Sequence, residues 1–351
     1  MAKTFINGIG CISAQATADG FPQEFAVDES VNFLALQKPE YKDYFSPIAS
    51  RRMAKGVKNG IVASTVAMKE AALEMPGVII TGTGMGCIED SDKFLKAIID
   101  NKEEFLTPTS FIQSTHNTVG AQIALGLECK GYNFTYVNGA VSFESALLDA
   151  KLQFDADEIH SALIGGIDEM TDYTQSLFKL AGFIKPDTAA PYKVLGSKTN
   201  GAVFSEGATF FALEDKRTAS TYAELIDVAI LNRLEIPEVS EKAVDFLAQN
   251  ELQVSDIDAI LLGYNGDAEF DIYYEKLAET FAESMQLYYK HLSGEYNTAS
   301  AFGLYVAANA LKRQQLPALF RSNDKQKAAV KKILLYNQYR GADHSFTLIS
   351  T

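Results

Sequence analysis

Short apolar runs alternate with stretches of helical period along the whole chain. Strands are predicted at Thr4–Ile12, Val78–Thr81, Phe134–Val137, Ala162–Ile164 and within Gly201–Glu214. Each run is apolar or β-branched and bounded by glycine or polar clusters. Helices are predicted over Arg51–Glu74 and Asn117–Leu127, where few breakers interrupt the period. Residues 20–48 carry aromatics and prolines and read as loops. After residue 215 the pattern begins again. Strands are expected at Tyr222–Ile230, Ile257–Leu262, Ile333–Tyr336 and Ser345–Ser350, and helices at Glu241–Gln249, Ile272–Phe281 and the alanine-rich Asn297–Arg313. This alternation predicts an α/β protein with mostly parallel sheets. No linker separates the halves, 1–215 and 216–351, so they are expected to pack as one unit.

One stretch combines both periods. Gly131 to Ala150 reads as a strand, a tight turn and a helix start. Such an elbow lifts its turn residue to the lip of a pocket, at the positive end of the helix dipole. Enzymes place nucleophiles there. The turn residue here is Ala140, which has no nucleophilic group.

Composition narrows the possibilities. The chain has 351 residues, 47% apolar and 22% charged, enough for a large core. Its apolar runs fall far short of a membrane span, and its start lacks a signal-peptide core, so a cytoplasmic protein is expected. Cys11, Cys87 and Cys129 are odd in number and widely spaced, against a disulfide framework or a zinc site. The four histidines have no ligand spacing, and no metal or cofactor is expected. A net charge of −14 argues against nucleic acid as a partner. Against that background Arg51, Arg52, Lys55 and Lys58 form a local basic face, either a solvated helix surface or a docking patch. Gly82-Thr-Gly84-Met-Gly86 follows a strand but lacks the dinucleotide spacing.

The order of these landmarks resembles the β-ketoacyl synthases of the thiolase superfamily, nearly end to end. Gly82–Gly86 is similar to that family's early Gly-Thr-Gly turn, and Pro108–Leu127, with Asn117, to its pocket loop and following helix. Gly131–Ala150 resembles its nucleophile segment, and Gly165–Glu169 its Gly-Gly-x-Glu region. Ser205-Glu206-Gly207-Ala208 with Leu213-Glu214, Lys290 through Ser300, and Tyr339–Asp343 complete the series. The resemblance implies a thiolase-like fold, two related α/β halves in a layered αβαβα core. It also implies a remnant acyl pocket that includes Asn117, Phe143 and Tyr339.

In that family an elbow cysteine takes the acyl chain as a thioester, and two histidines serve decarboxylation and hold the enolate oxyanion. By the same resemblance the cysteine position is Ala140, the histidine positions are Asn265 and Glu295, and Lys290 is retained. Cys129, Ser142 and Ser145 are the nearest replacement nucleophiles, each off the turn. The resemblance therefore implies a non-catalytic subunit like a chain length factor, paired with an active ketosynthase homologue and supplied by acyl carrier protein. The family's well-known factors carry glutamine where this chain has Ala140. That points instead to relatives from clusters making polyene or resorcinol-type pigments. Arg51 and Arg52 would be the local docking contribution. Two other readings stay open: a malonyl-carrier-protein decarboxylase or acyltransferase using Asn265 and Glu295, and a homodimeric acyl-chain binding protein.

Overall fold

Ten strands make one sheet: β1 (Phe5–Ile12), β2 (Val78–Gly82), β3 (Tyr132–Tyr136), β4 (Ser161–Asp168), β5 (Gly207–Glu214), β6 (Ala223–Asn232), β7 (Ala259–Leu262), β8 (Met285–Tyr288), β9 (Lys332–Tyr339) and β10 (Asp343–Ser350). The computed structural model describes residues 2–351. The sheet order is β3-β2-β4-β5-β1-β6-β10-β9-β7-β8. Outward from the centre, β1-β5-β4-β2-β3 is matched by β6-β10-β9-β7-β8, so strands six to ten repeat the order of strands one to five. The joint between them is short and antiparallel, pairing Phe5 with Glu224 and Ile6 with Ala223.

The helices are α1 (Pro47–Ser50), α2 (Lys55–Ala71), α3 (Ile88–Asp100), α4 (Pro108–Gln113), α5 (Thr118–Leu127), α6 (Ser142–Asp155), α7 (Asp172–Leu180), α8 (Glu238–Gln249), α9 (Ile272–Thr280), α10 (Lys290–Ser293) and α11 (Ser300–Arg313). The strand period of two sends alternate residues to different helical layers. Ile79, Leu163 and Phe210 meet Ala63 of α2 and Val119 and Ile123 of α5. Their neighbours Ile80, Ile164 and Phe211 face α6 and α11 through Phe143, Leu147 and Phe302. In the second half Leu261 and Leu335 join that same central cluster. Leu262, Leu334 and Phe346 turn to α8 and α9, where Phe246 and Leu277 meet them. The result is helix, strand, helix, strand, helix: the αβαβα layering of a thiolase-like fold. Strands buried on both faces must be apolar throughout, which is why these runs read as near-continuous hydrophobes.

The sheet is mixed, not mostly parallel. β2 runs parallel to β3 and β4, and β7 to β8 and β9. β5 opposes β4 and β1, and β10 opposes β9 and β6. β9 and β10 are joined by a tight turn at Arg340 and Gly341, both at positive φ, which forces antiparallel pairing. The first long helix also starts later than the sequence pattern suggests, at Lys55. Upstream, Ser46 accepts from the Ala49 N–H and Pro47 opens a separate short turn. Arg51 caps that turn and Arg52 follows it, so neither lies on α2.

The elbow depends on close backbone approach. A Cβ on Gly82 would stand 2.4 Å from the carbonyl of Ser142 at the head of α6. Gly82→Ala is therefore expected to destabilise the protein by about 2 kcal/mol in urea unfolding. Gly126, on α5 with nothing within 4 Å of its added Cβ, is the control. Gly126→Ala should be neutral or stabilising by ~0.5–1 kcal/mol.

Candidate functional site

β3 ends at Tyr136, the chain turns through Gly139 at φ 57°, and α6 begins at Ser142. Ala140 occupies the single turn Gly139–Val141 between them and is buried. Hydrogen bonds close the elbow without it. Ser142 Oγ accepts from the Asn138 N–H at 2.8 Å and lies 3.0 Å from the Thr83 carbonyl. Ser145 Oγ donates to the Val141 carbonyl and accepts from Asn138 Nδ2. Both hydroxyls are thus held by the elbow itself. Cys129 is half-buried between α5 and β3, with Sγ 3.5 Å from the Pro76 carbonyl. None of these three side chains hydrogen-bonds a histidine among the described residues.

The other degenerate positions do meet. Glu295 Oε2 accepts from Lys290 Nζ and from Asn265 Nδ2, each at 2.7 Å. Lys290 Nζ also donates to Asn337 Oδ1 at 2.8 Å. Lys290 is fully buried and the Glu295 side chain 3% exposed. Asn265 Oδ1 accepts from the Asp267 N–H at 3.0 Å. The backbone fixes the same group: Val203 N–H donates to the Asn265 carbonyl, and the Glu295 N–H donates to the Val203 carbonyl. Short of open water, a buried cation is tolerable only with an anion and further acceptors around it. Glu295 and Asn337 are those groups.

Asp271 holds the Asn265 loop by accepting the Asn265 and Gly266 N–H groups at 3.2 and 3.0 Å. Burial pushes its carboxyl from 3.8 to about 7, against the pull of those two backbone bonds. Glu144, in the first turn of α6, accepts from Ser345 Oγ at 2.8 Å while its second oxygen has no partner among the described residues. Burial raises its carboxyl too. Asn337, Asp271 and Glu144 escaped the sequence reading. The available signal was a polar residue inside an apolar strand, as in Leu334-Leu-Tyr-Asn337.

The remaining candidates are scattered. Phe143 is a core residue, its ring 5.6 Å from that of Phe211. Asn117 is exposed at the N-terminus of α5 and makes no capping bond. Tyr339 lines a cavity of about 10 Å³ with Asp168, Phe204 and Tyr296, room for a single water. Arg51 and Arg52 are exposed and form no salt bridge among the described residues. Lys55 is engaged, 2.6 Å from Glu206 Oε2, and Lys58 lies over the Tyr41 ring. Among the described residues no three His, Cys, Asp or Glu side chains are grouped to hold a metal ion.

Glu295→Ala should strand the Lys290 charge and cost about 3–5 kcal/mol in urea unfolding. Lys290→Met combined with Glu295→Leu should recover most of that loss. A double variant as unstable as the single would show that the pair does not hold the site. For Asp271 the proton is held more tightly in the folded protein. Its stabilising contribution is full below its unfolded value of 3.8 and is lost as pH rises to about 7. Asp271→Asn is expected to flatten that fall between pH 5 and pH 8, measured by urea unfolding at both.

The family model for the β-ketoacyl synthase N-terminal domain matches residues 8–219. No curated protein matches the sequence significantly. Solved structures are similar across the full length at low identity. A β-ketoacyl synthase from Burkholderia phymatum STM815 is 16% identical with a TM-score of 0.81, covering 100% of this chain and 99% of that one. The ishigamide ketosynthase/chain length factor is 16% identical with a TM-score of 0.78, covering 100% and 99%. The ketosynthase ApeO in complex with its chain length factor ApeC, from Xenorhabdus doucetiae, is 13% identical with a TM-score of 0.76, covering 100% and 98%. The family model spans more than half of the sequence, and the chain belongs to the β-ketoacyl synthase family.

Proposed function

We propose that this chain is a non-catalytic, chain-length-factor-like subunit that pairs with an active β-ketoacyl synthase in type II fatty acid or polyketide synthesis. One observation carries the reading. Glu295 and Asn265, which stand where the resemblance expects histidines, are bound to each other, and Glu295 is bound in turn to Lys290. Oxyanion stabilisation needs donors aimed at the reacting oxygen. The Asn265 amide is turned to Glu295, and a carboxylate shared with a lysine offers no donor. Ala140 supplies no nucleophile. These features weigh against the decarboxylase and acyltransferase readings together.

The sheet edges support pairing. The outer edge of β8 is covered, with Leu287 bridged to Arg321 and the Ser322 N–H donating to the Gln286 carbonyl. β3, which holds the same place in the other half, has no such cover among the described residues. Along one face of it Tyr132 stacks on Phe134 and Tyr136 meets Phe134 at a tilt, with Phe134 and Val137 each 44% exposed. A bare, aromatic edge strand is a pairing template that proteins otherwise protect. Leu125 on α5 and Leu152 on α6 extend the apolar surface on the helices beside β3. Solved neighbours described as ketosynthase/chain length factor assemblies fit this arrangement, and another is described as a type II acyl-carrier protein bound to its ketosynthase. In this reading the halves 1–215 and 216–351 meet where β1 pairs with β6, carrier protein docks chiefly on the partner, and Arg51 and Arg52 contribute locally.

Native mass spectrometry after co-expression with a candidate active ketosynthase from the same genome should give a one-to-one heterodimer. Phe134→Lys should weaken it at least a hundredfold, with the monomer still folded by circular dichroism. A stable homodimer that ignores the ketosynthase would favour the acyl-binding alternative. Ala140→Cys alone should restore no condensation; condensing activity would mean that Asn265 and Glu295 remain competent.

A further inference from the structure

His291 stands next to Lys290 but belongs to a different environment. Its side chain is buried, the residue only 6% exposed, and its ring nitrogens make no well-formed hydrogen bond, the one candidate partner being the Leu319 backbone. Tyr288 stacks on one face of the ring at 4.0 Å between centroids, and Phe320 meets it edge-on. Burial pushes the imidazole down to about 3, only partly offset by the nearby Leu319 backbone, so the ring is neutral under ordinary conditions. A neutral imidazole carries one N–H donor and one nitrogen acceptor. The Leu319 backbone can meet only one of the two; leaving the other unmade inside a protein is costly and calls for an explanation.

The explanation lies in the cavity that His291 lines, of about 290 Å³. Its walls are Val194, Leu195, Val203, Leu319 and the rings of Tyr192 and Tyr288. Asp28, Glu29 and Lys193 also line it, two carboxylates to one ammonium, a balance that disfavours an anion. The Asp28 carboxylate is already engaged by Ser30, and no third metal-binding side chain joins His291 here among the described residues. A volume of roughly 150 Å³ is enough to accept a benzene ring, so this cavity has room for one. Val203, whose backbone binds Asn265 and Glu295, separates this cavity from the buried ion pair. It is therefore distinct from the elbow and its pocket.

We propose that this cavity binds a small uncharged aromatic alcohol, its hydroxyl paired with the His291 imidazole and its ring among the surrounding apolar side chains. A hydroxyl both donates and accepts, so it can satisfy whichever ring nitrogen faces it. The aromatic body matches the two tyrosine rings and the aliphatic walls, where the ring quadrupole and its area both favour burial. The site is independent of the pairing reading.

Phenol is the probe, titrated into the full-length protein labelled with ¹⁵N-histidine. The expected result is a saturable shift of the His291 ring signals, with His116, His160 and His344 unmoved. Phenol should bind about tenfold more tightly than toluene, because only phenol replaces the missing hydrogen bond. His291→Phe should abolish that preference. Should that variant fail to fold, Leu195→Trp provides the second arm. It fills the cavity from its partly exposed side and should remove phenol binding without changing the melting temperature. Equal affinity for phenol and toluene, no saturable shift, or a shift that survives Leu195→Trp would each overturn the proposal.

Discussion

A lysine with no solvent exposure needs an anion within reach, and in this protein Glu295 fills that requirement. The Lys290–Glu295 pair lies at 2.7 Å with Asn265 and Asn337 completing its shell. Much of the interior is arranged around it. Asp271 fixes the loop that delivers Asn265, the Val203 backbone ties Asn265 to Glu295, and β9 delivers Asn337. The desolvation of such a pair is repaid only when nearly every remaining donor and acceptor is matched. That condition leaves little freedom for the same side chains to act on a substrate. A site can be polar, buried and well ordered while its groups satisfy one another.

The elbow is preserved in the same spirit. Gly82 lets the β2–β3 layer approach the head of α6, Gly139 takes the left-handed turn, and Ser142 and Ser145 bond back to the local backbone. None of this requires a reactive group at 140. What the geometry retains is a rigid wall, buried between two halves of repeated strand order, with one sheet edge protected at β8 and one left open at β3. A hydrogen-bonded elbow inside and an apolar aromatic edge outside are the two features on which the proposed pairing role rests.

Much of the architecture was legible because buried strands leave a strong mark. Thr4–Ile12, Val78–Thr81 and the Gly131–Ala150 elbow lie within a residue or two of the observed elements. Three kinds of feature were not legible. β8 is four residues long, Met285 to Tyr288, with Gln286 interrupting it, too short for any period to stand out. α7 exposes Leu177 and Leu180, so its apolar positions do not mark a buried face. The β9–β10 hairpin turns on Arg340 as well as Gly341, a turn the composition disguises, and it sets the antiparallel half of the sheet. Within the site, the sequence supplied Ala140, Asn265, Glu295 and Lys290 as positions but not as partners. The pairing of Glu295 with Lys290 spans five residues and is local, whereas Asn337 lies on a strand 47 residues away and is joined only by folding. Arg51 and Arg52 moved off the helix because a serine cap and a proline start a separate turn just before them.

The most direct test of the central claim is intact-protein mass spectrometry of the reconstituted heterodimer after incubation with acyl- and malonyl-carrier protein. The prediction is an acyl mass on the ketosynthase partner alone, with this chain unmodified at every time point. An acyl adduct on this chain, mapped to any of its residues, would contradict it.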